Sequence, residues 1–382
     1  AIMLHGIDIQ DNDIGVSWLP LFHDMGLIGK VLSPLIYPTE MVFLPTFSFI
    51  KNPALWLETI SRYQGSISFA PNFAFALATR FFKRRPRALN LKSLRVLGCG
   101  AEPINASVLH DFIETFAPYG LRPQAVTPCY GMAEATLAVT LDSRIQPFRT
   151  LIFDRHIYKS QQQVCLLETK TKTQTDSTET YAQQIVACGR PFPFHDIAII
   201  DQQGAQLNEG QVGQIVVRGP SIAAGYFDNT TASAETFVDG WLHTGDLGFM
   251  FDGELFISGR NKDLIIVNGH NFYPQDIEWN IERLAGVRTG AVAVFAVGGY
   301  ETEKVVVVAE VKKRAASPNL CNDIKILLSR ENGIAVHQVI LVQPGSIPKS
   351  TSGKVQRSKV RSSYIAGHFD HLSYDRELAE VL

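Results

Sequence analysis

The sequence predicts an α/β protein in two parts: a large α/β N-terminal domain that includes a β-rich subdomain, and a smaller α+β C-terminal domain. Three observations carry this. Up to about residue 140, short apolar runs alternate with stretches of helical period, punctuated by Pro and Gly. From about 188 to 269, apolar runs of strand length follow one another between Gly-bearing turns. From 261 onward, helix and strand patterns fill a span of ordinary domain size. The expected domains are therefore 1–260 and 261–382.

The elements follow in order. VSWLPLF (16–22), EMVFLP (40–45) and SISFAP (66–71) read as buried strands; NPALWLETISRY (52–63) and NFAFALATRFFKR (72–84) read as helices. LKSLRVLGCGAEP (91–103) runs from a strand into a Gly-bearing turn, and ASVLHDFIETFAPYG (106–120) is a helix ending at a Gly. QAVTPCYGMAEATLAV (124–139) repeats strand, turn and helix start. This alternation implies layers of helix on sheet, with ligands at the strand C-terminal ends. From about 144 to 187 the texture turns polar and low in complexity, as in TKTKTQTDSTETYAQQ, and reads as an exposed insertion. FHDIAIID, GQIVVRG, GELFISG and DLIIVNG then read as strands. In the C-terminal part, PQDIEWNIERLA and NDIKILLSREN are helices. GAVAVFAV and KVVVVAEV form a hairpin across GGYETE, and HQVILV is a further strand.

Composition narrows the function classes. The 382 residues are 46% apolar with a net charge of −2, so no basic field points to nucleic acid or an anionic membrane surface. No apolar run is long enough to span a bilayer, and AIMLHGIDIQDND is not a signal peptide. The five cysteines are widely spaced and form no CxxC pair, which points to neither a zinc site nor a disulfide framework, and a reducing cytoplasm is expected. The chain starts at Ala1 and enters patterned sequence at once, which reads as a piece cut from a longer protein.

Five short motifs carry chemistry, each with a plainer alternative. Gly98–Pro103 (GCGAEP) lets a flat ring or phosphate approach the backbone, or is only a tight strand-to-helix turn. Tyr130–Glu134 (YGMAE) offers a stacking face, a Gly and a carboxylate able to hold magnesium; the alternative is a core Tyr and an exposed Glu. His243–Gly248 (HTGDLG) sets Asp246 in a Gly-flanked turn, where it accepts from ribose hydroxyls or merely caps the turn. Gly259–Asp263 (GRNKD) is a charged cluster at the domain junction, or a solvated linker. IPKSTSGKVQRSKV (347–360) ends its Ser/Thr run in Gly-Lys, yet is no phosphate-binding P-loop. Pro348 stands where that motif needs Gly, and Val355 where it needs Ser or Thr.

In this order and spacing, together with WLPLFHDMGLIG (18–29), the motifs resemble the adenylate-forming superfamily of acyl- and aryl-CoA synthetases, nonribosomal adenylation domains and luciferases. LPLFHDMGLIG, GCGAEPI, CYGMAEATLAV and DLIIVNGHNFYPQDIE look more specifically like its fatty acyl-AMP ligases. So does Ala133, where many superfamily members carry Thr, and so does the insertion near 144–187. The resemblance covers essentially the whole chain.

It implies a large adenylation domain with a small mobile domain, and ATP-dependent activation of a fatty acid to an acyl-adenylate with release of pyrophosphate. The acyl group then passes to the phosphopantetheine thiol of an acyl carrier protein. ATP and Mg²⁺ are the implied cofactors. By the same resemblance Tyr130 and the turn of Gly100, Ala101 and Glu102 hold the adenine, Gly131 and Met132 also bind the nucleotide, Asp246 and Arg260 hold the ribose, and Glu134 the Mg²⁺. His23 faces the reacting end of the pocket unless it is a structural histidine. Lys354 bridges carboxylate and α-phosphate as a point charge, and Lys262 is the hinge. Lys349, Lys354, Arg357, Lys359 and Arg361 meet an acidic carrier protein, or form a solvated positive face around one catalytic lysine.

The superfamily's Ser/Thr/Gly phosphate loop is not found between Ala1 and Trp18. The resemblance therefore implies an incomplete large domain lacking roughly its first third on the usual two-domain plan, with poor ATP turnover and exposed apolar surface. Two alternatives stand beside the ligase: a fatty acyl-CoA synthetase using free coenzyme A, and a non-catalytic remnant.

Overall fold

The computed structural model describes residues 5–142, 145–167, 182–267, 269–298, 303–312, 319–350 and 353–369. They form two compact units. The first takes the described residues up to Arg155, those from Gln163 to Leu167, and Ala182–Ser258; the second takes His156–Gln162 and the described residues from Gly259 onward.

The first unit is built on strands β1 (Ile14–Ser17), β2 (Glu40–Phe43), β3 (Ile67–Ala70), β4 (Val96–Cys99), β5 (Val126–Gly131), β6 (Ala138–Leu141), β7 (Thr150–Asp154), β8 (Ala182–Val186) and β9 (Arg190–Pro191). Seven of them make one sheet in the order β2-β1-β3-β4-β5-β6-β9. Its first five strands are parallel, with Ile67 opposite Val96 and Leu97 opposite Val126; β6 and β9 add antiparallel. All of β4 is buried, as a parallel strand covered on both faces must be.

The helices that cover the sheet bury one stripe each. Ala54–Tyr63 turns Trp56, Leu57 and Ile60 inward, Asn72–Arg84 turns Phe75, Ala78 and Phe82, and Ala106–Phe116 turns Leu109, Phe112 and Phe116. Asn105 caps the last of these by accepting from Ser107 N at 2.9 Å, and Gly120 ends the segment at φ 91°. Trp56 is central to this core. It meets Phe75 edge-on at 5.6 Å, and its indole N–H donates to Ser68 Oγ at 2.9 Å.

A second sheet follows from β10 (Asp196–Ile200), β11 (Gly213–Arg218), β12 (Phe237–Val238), β13 (Trp241–Phe251) and β14 (Glu254–Arg260), in the order β10-β11-β13-β12 with β14 also on β13. Both turns flanking β13 are Asp-Gly pairs with positive φ, Asp239 (50°)–Gly240 (79°) and Asp252 (52°)–Gly253 (75°). That is the type I′ geometry of tight hairpins.

Several expectations are corrected here. The segment 40–45 is not a buried strand: no residue of β2 is buried, because it lies at the end of the sheet order. In 16–22 the strand stops at Ser17. The helix start expected after YGMAE is a single 3₁₀ turn, Ala133–Ala135, ended by Thr136 at φ 68° before the chain returns as β6. The stretch 144–187 is not wholly an exposed insertion. Thr150–Asp154 and Ala182–Val186 pair antiparallel, a helix spans Arg155–Gln161, and Phe153, Tyr158 and Val186 are buried. The polar run at 168–181 lies outside the described residues. HTGDLG is part of β13, not a turn.

The second unit contains the hairpin β15 (Ile265–Val267)–β16 (His270–Phe272) and the sheet β17 (Val287–Val297)–β18 (Lys304–Val311)–β19 (Val336–Val342). β17 and β18 are antiparallel, β18 and β19 parallel. β18 is buried on both faces. Val305, Val307 and Ala309 pack with Ile277 and Ile281 of the helix Pro274–Glu282 and with Ile324 and Leu328 of Leu320–Asn332. Val306 and Val308 pack with Phe295, Ile340 and Val360. Glu310 of β18, fully buried, accepts from Ile347 N at 2.9 Å and Arg288 Nη1 at 2.7 Å. It thereby fixes the start of the segment 347–360. Among the described residues no helix is long and apolar enough to cross a membrane.

Candidate active site

In the first unit the site is built at the C-terminal ends of β4 and β5, where a parallel sheet opens. After Cys99 the chain turns at Gly100–Ala101–Glu102. A Cβ on Gly100 would come within 2.7 Å of Cys129 Sγ and 2.9 Å of Cys129 O, so the glycine is demanded by the neighbouring strand. Ala101 takes φ 68°, a left-handed value that strains a residue with a Cβ. Glu102 Oε1 accepts from Phe73 N at 2.6 Å, at the start of the helix Asn72–Arg84. A carboxylate there is favoured by the orphan N–H groups and the helix dipole.

At the end of β5, a Cβ on Gly131 would lie 2.0 Å from Leu137 O, so this glycine too is set by backbone packing. Met132 is half-buried against the cluster containing Tyr130 and Val139. The Tyr130 phenol is turned to the second sheet, where it donates to Asp246 Oδ2 at 2.7 Å in a buried bond.

Asp246 reaches that position through a bulge in β13. Between the pairs Gln214–Leu247 and Val216–His243, the residues Thr244, Gly245 and Asp246 stand opposite Ile215 alone. Gly245 supplies φ 71°, Thr244 Oγ1 donates to Ile215 O at 2.8 Å, and Asp246 N donates to Thr244 Oγ1 at 3.1 Å. The glycine that reads locally as a turn is thus the element that lets a strand aim a carboxylate.

Glu134, in the 3₁₀ turn after β5, accepts from the Tyr226 hydroxyl at 2.8 Å through Oε1, and its backbone O accepts from Ala223 N at 2.8 Å. Burial and the Glu134 carboxylate hold the Tyr226 phenol above its usual range. Among the described residues no three His, Cys, Asp or Glu side chains form a metal-ligand group. A lone carboxylate suits Mg²⁺, which is held mainly by phosphate oxygens and water with one or two protein carboxylates.

His23 caps the short helix Asp24–Leu27, its Nδ1 3.3 Å from Met25 N and 2.5 Å from Asp24 Oδ1. The structural role weighed for it from sequence is therefore present. The π turn Ile28–Leu32 follows, and within it Lys30 is only 5% exposed.

Arg260, Lys262 and Lys354 belong to the second unit. Arg260 ends β14, and Lys262 is exposed in the turn Asn261–Asp263. Lys354 sits in a small hairpin closed by the bridge Lys349–Val355, by Ser350 N donating to Lys354 O at 2.7 Å, and by Lys354 N donating to Ser350 Oγ at 3.1 Å. Gly353, at φ 88°, lets the chain make this turn.

Arg357, three residues on, is not part of a solvated positive face. Its guanidinium donates to Glu278 Oε1 and Oε2, both at 2.9 Å, and to Asp263 Oδ2 at 2.6 Å. Burial works against its charge, and the two carboxylates more than offset that, so the group stays cationic. Tyr226 and the Arg357 brace are absent from the sequence-level candidates as site elements, since no local spacing announces them. For β13, and with it Asp246, the sequence does hold a signal: the Asp-Gly pairs at 239–240 and 252–253.

Comparisons with known proteins fit this geometry. Residues 2–227 match the family described as AMP-binding enzyme, and residues 262–373 match the AMP domain described as Disco-interacting protein 2-like. A putative acyl-CoA synthetase of Caulobacter vibrioides is 35% identical over 97% of this chain and 64% of its own length. The medium-chain-fatty-acid–[acyl-carrier-protein] ligase JamA of Moorena producens is 34% identical over 94% of this chain and 62% of its own. A solved structure among the fatty acyl-adenylate ligases of E. coli and L. pneumophila superposes with a TM-score of 0.86 at 33% identity, covering 96% of this chain and 64% of that one. The chain thus spans less than two thirds of the length of these relatives.

Proposed function

The chain belongs to the AMP-binding enzyme family, and from that premise we propose that it serves the activation of fatty acids as acyl-adenylates for delivery to an acyl carrier protein. Adenylate-forming enzymes use ATP, with Mg²⁺ as the usual ion. The observation that carries the reading is the buried Tyr130–Asp246 bond at the open end of the parallel sheet, which unites two of the family's motifs. The names of two relatives, a fatty acyl-adenylate ligase and a fatty-acid–carrier-protein ligase, support the substrate and the acceptor.

In the first step a carboxylate oxygen bonds to the α-phosphorus of ATP, the α–β phosphoanhydride bond breaks, and pyrophosphate leaves. Bringing anions together dominates such a barrier, so positioning and charge neutralisation are the protein's task. The Tyr130 ring and the Gly100–Ala101–Glu102 turn, with Gly131 and Met132, form the adenine side. Tyr130's hydroxyl is engaged by Asp246, which fixes the carboxylate assigned to the ribose; Arg260 is assigned to the same sugar. Glu134 holds the Mg²⁺, which when bound neutralises phosphate charge. His23 stands at the reacting end. Lys354, on a turn of small residues, meets the charge that builds between carboxylate and α-phosphate. The small domain begins after Arg260, and Lys262 is its hinge.

In the second step a thiol attacks the acyl carbonyl and AMP leaves. The compartment is the cytoplasm. Neither nucleic acid nor stable membrane insertion has a part in this reading.

The test uses the polypeptide as the cell makes it, with a fatty acid, ATP, Mg²⁺ and either a holo acyl carrier protein or coenzyme A. Pyrophosphate release with acyl transfer to the carrier is expected. Efficient acyl-CoA formation instead would replace this reading by the acyl-CoA synthetase one, which the Caulobacter relative's name favours.

A further inference from the structure

Lys30 is a buried cation to which the steps above assign no role. Its Nζ stands 4.4 Å from the centre of the Phe69 ring, at the C-terminal end of β3. That ring lies across Gly98 of β4, where a Cβ would come within 2.1 Å of it, so only glycine lets the ring present its face to the ammonium. Cys129 of β5 is the charge partner that Lys30 meets, and burial pushes its thiol up to about 12, so it is neutral at pH 7. Among the described residues no carboxylate pairs with Lys30. Gly29 beside it packs on Leu137, 3.3 Å from where a Cβ would stand.

A buried ammonium without a counter-charge destabilises a fold, and such a perturbed buried group in a ligand-binding region marks a candidate functional site. The place is right for a ligand, because the C-terminal ends of parallel strands are where this architecture binds them. The triphosphate is a poor match, since its several charges need a wide solvated groove. A single oxygen group at the end of an apolar chain matches a cation walled by Phe69 and the Gly29–Leu137 contact. Cys129 and Tyr130 are consecutive in β5, so their side chains leave the strand on opposite faces. Lys30, which meets Cys129, therefore lies across the strand from the Tyr130 phenol.

We propose that Lys30 selects the acid, its ammonium pairing with a second carboxylate carried on the acyl chain, so that dicarboxylic acids are preferred to plain alkanoates. This rests on the fatty-acid-activating reading of the same site and names the substrate class within it.

Calorimetric titration of the polypeptide as the cell makes it, with dodecanoate, ω-hydroxydodecanoate and dodecanedioate, tests it. Wild type is expected to bind dodecanedioate at least about 10-fold more tightly than dodecanoate, with the hydroxy acid between. Lys30→Met and Lys30→Gln are expected to abolish that order while melting at or above the wild-type temperature, which checks that both fold. Equal or tighter binding of dodecanoate by wild type, tightest binding of the hydroxy acid, an order unchanged in both variants, or binding of none of the three overturns the inference. Pyrophosphate release is read alongside. Release with dodecanoate and no preference for the diacid sinks this inference while the activation reading stands, and absence of release with every acid sinks that reading itself.

Discussion

Tyr130 donates a 2.7 Å buried hydrogen bond to Asp246 across 116 positions of sequence, and so ties the seven-stranded sheet to the bulged strand of the five-stranded one. Tyr130→Phe keeps the ring and removes the donor from a buried carboxylate. A stability loss of about 1–3 kcal/mol is expected in urea denaturation, with a raised KM for ATP because Asp246 loses this donor. An unchanged denaturation midpoint contradicts the role given to this bond.

Gly131 and Gly245 are predicted to respond differently to Ala. At Gly131 the new Cβ meets backbone, Leu137 O at 2.0 Å and Ala138 Cα at 2.6 Å, which cannot swing away. A loss of about 3 kcal/mol or more is expected there. Gly245 has φ 71° with nothing within 4 Å, so Ala meets only left-handed strain of about 1–2 kcal/mol. Denaturation curves of the two variants check the order; the reverse order removes the packing argument.

How much of this was legible in sequence follows from what each residue needs. The helices 54–63, 72–84 and 106–116 show their buried stripes locally, and the two-faced burial of β18 is written in KVVVVAEV. The order of GAEP, YGMAE, TGDLG, GRNKD and SGK announces the family. The edge position of β2 depends on what lies beside it, which its own residues do not record. β13 was hidden because Gly245 reads as a turn, although Asp239–Gly240 and Asp252–Gly253 bracket a strand. Arg357 looks like one of a basic run, because its partners Asp263 and Glu278 lie 94 and 79 positions away. Lys30 looks like any surface lysine until the fold puts Phe69 beneath it.

Arg357→Met is expected to destabilise the protein by about 3–5 kcal/mol, since it leaves Glu278 and Asp263 without their cation. Arg357→Lys restores the charge without the fork and should recover only part of the loss. Chemical denaturation of both variants decides it; a neutral Arg357→Met shows that the brace contributes nothing.

Burial brings the Lys30 ammonium from 10.5 down to about 8. The native state then releases this proton before the unfolded state does, so this group makes stability rise with pH above about 8. The buried thiols of Cys99, Cys129 and Cys188 are pushed up and act in the opposite sense from about pH 9 upward. Between pH 7 and 9 wild type is therefore expected to gain about 1 kcal/mol relative to Lys30→Met. A flat difference across that window means the ammonium is solvated.

The most direct measurement concerns Lys354, which the hairpin closed by Ser350 and Gly353 presents in the second unit. In the polypeptide as the cell makes it, Lys354→Ala is compared with wild type for pyrophosphate release from ATP and a fatty acid, and for transfer of preformed acyl-AMP to the holo carrier protein. Pyrophosphate release is expected to fall by about 10²–10³-fold, the scale for losing one preorganised donor at a charge-developing centre, while transfer stays near the wild-type rate. Release close to the wild-type rate contradicts the account at its centre.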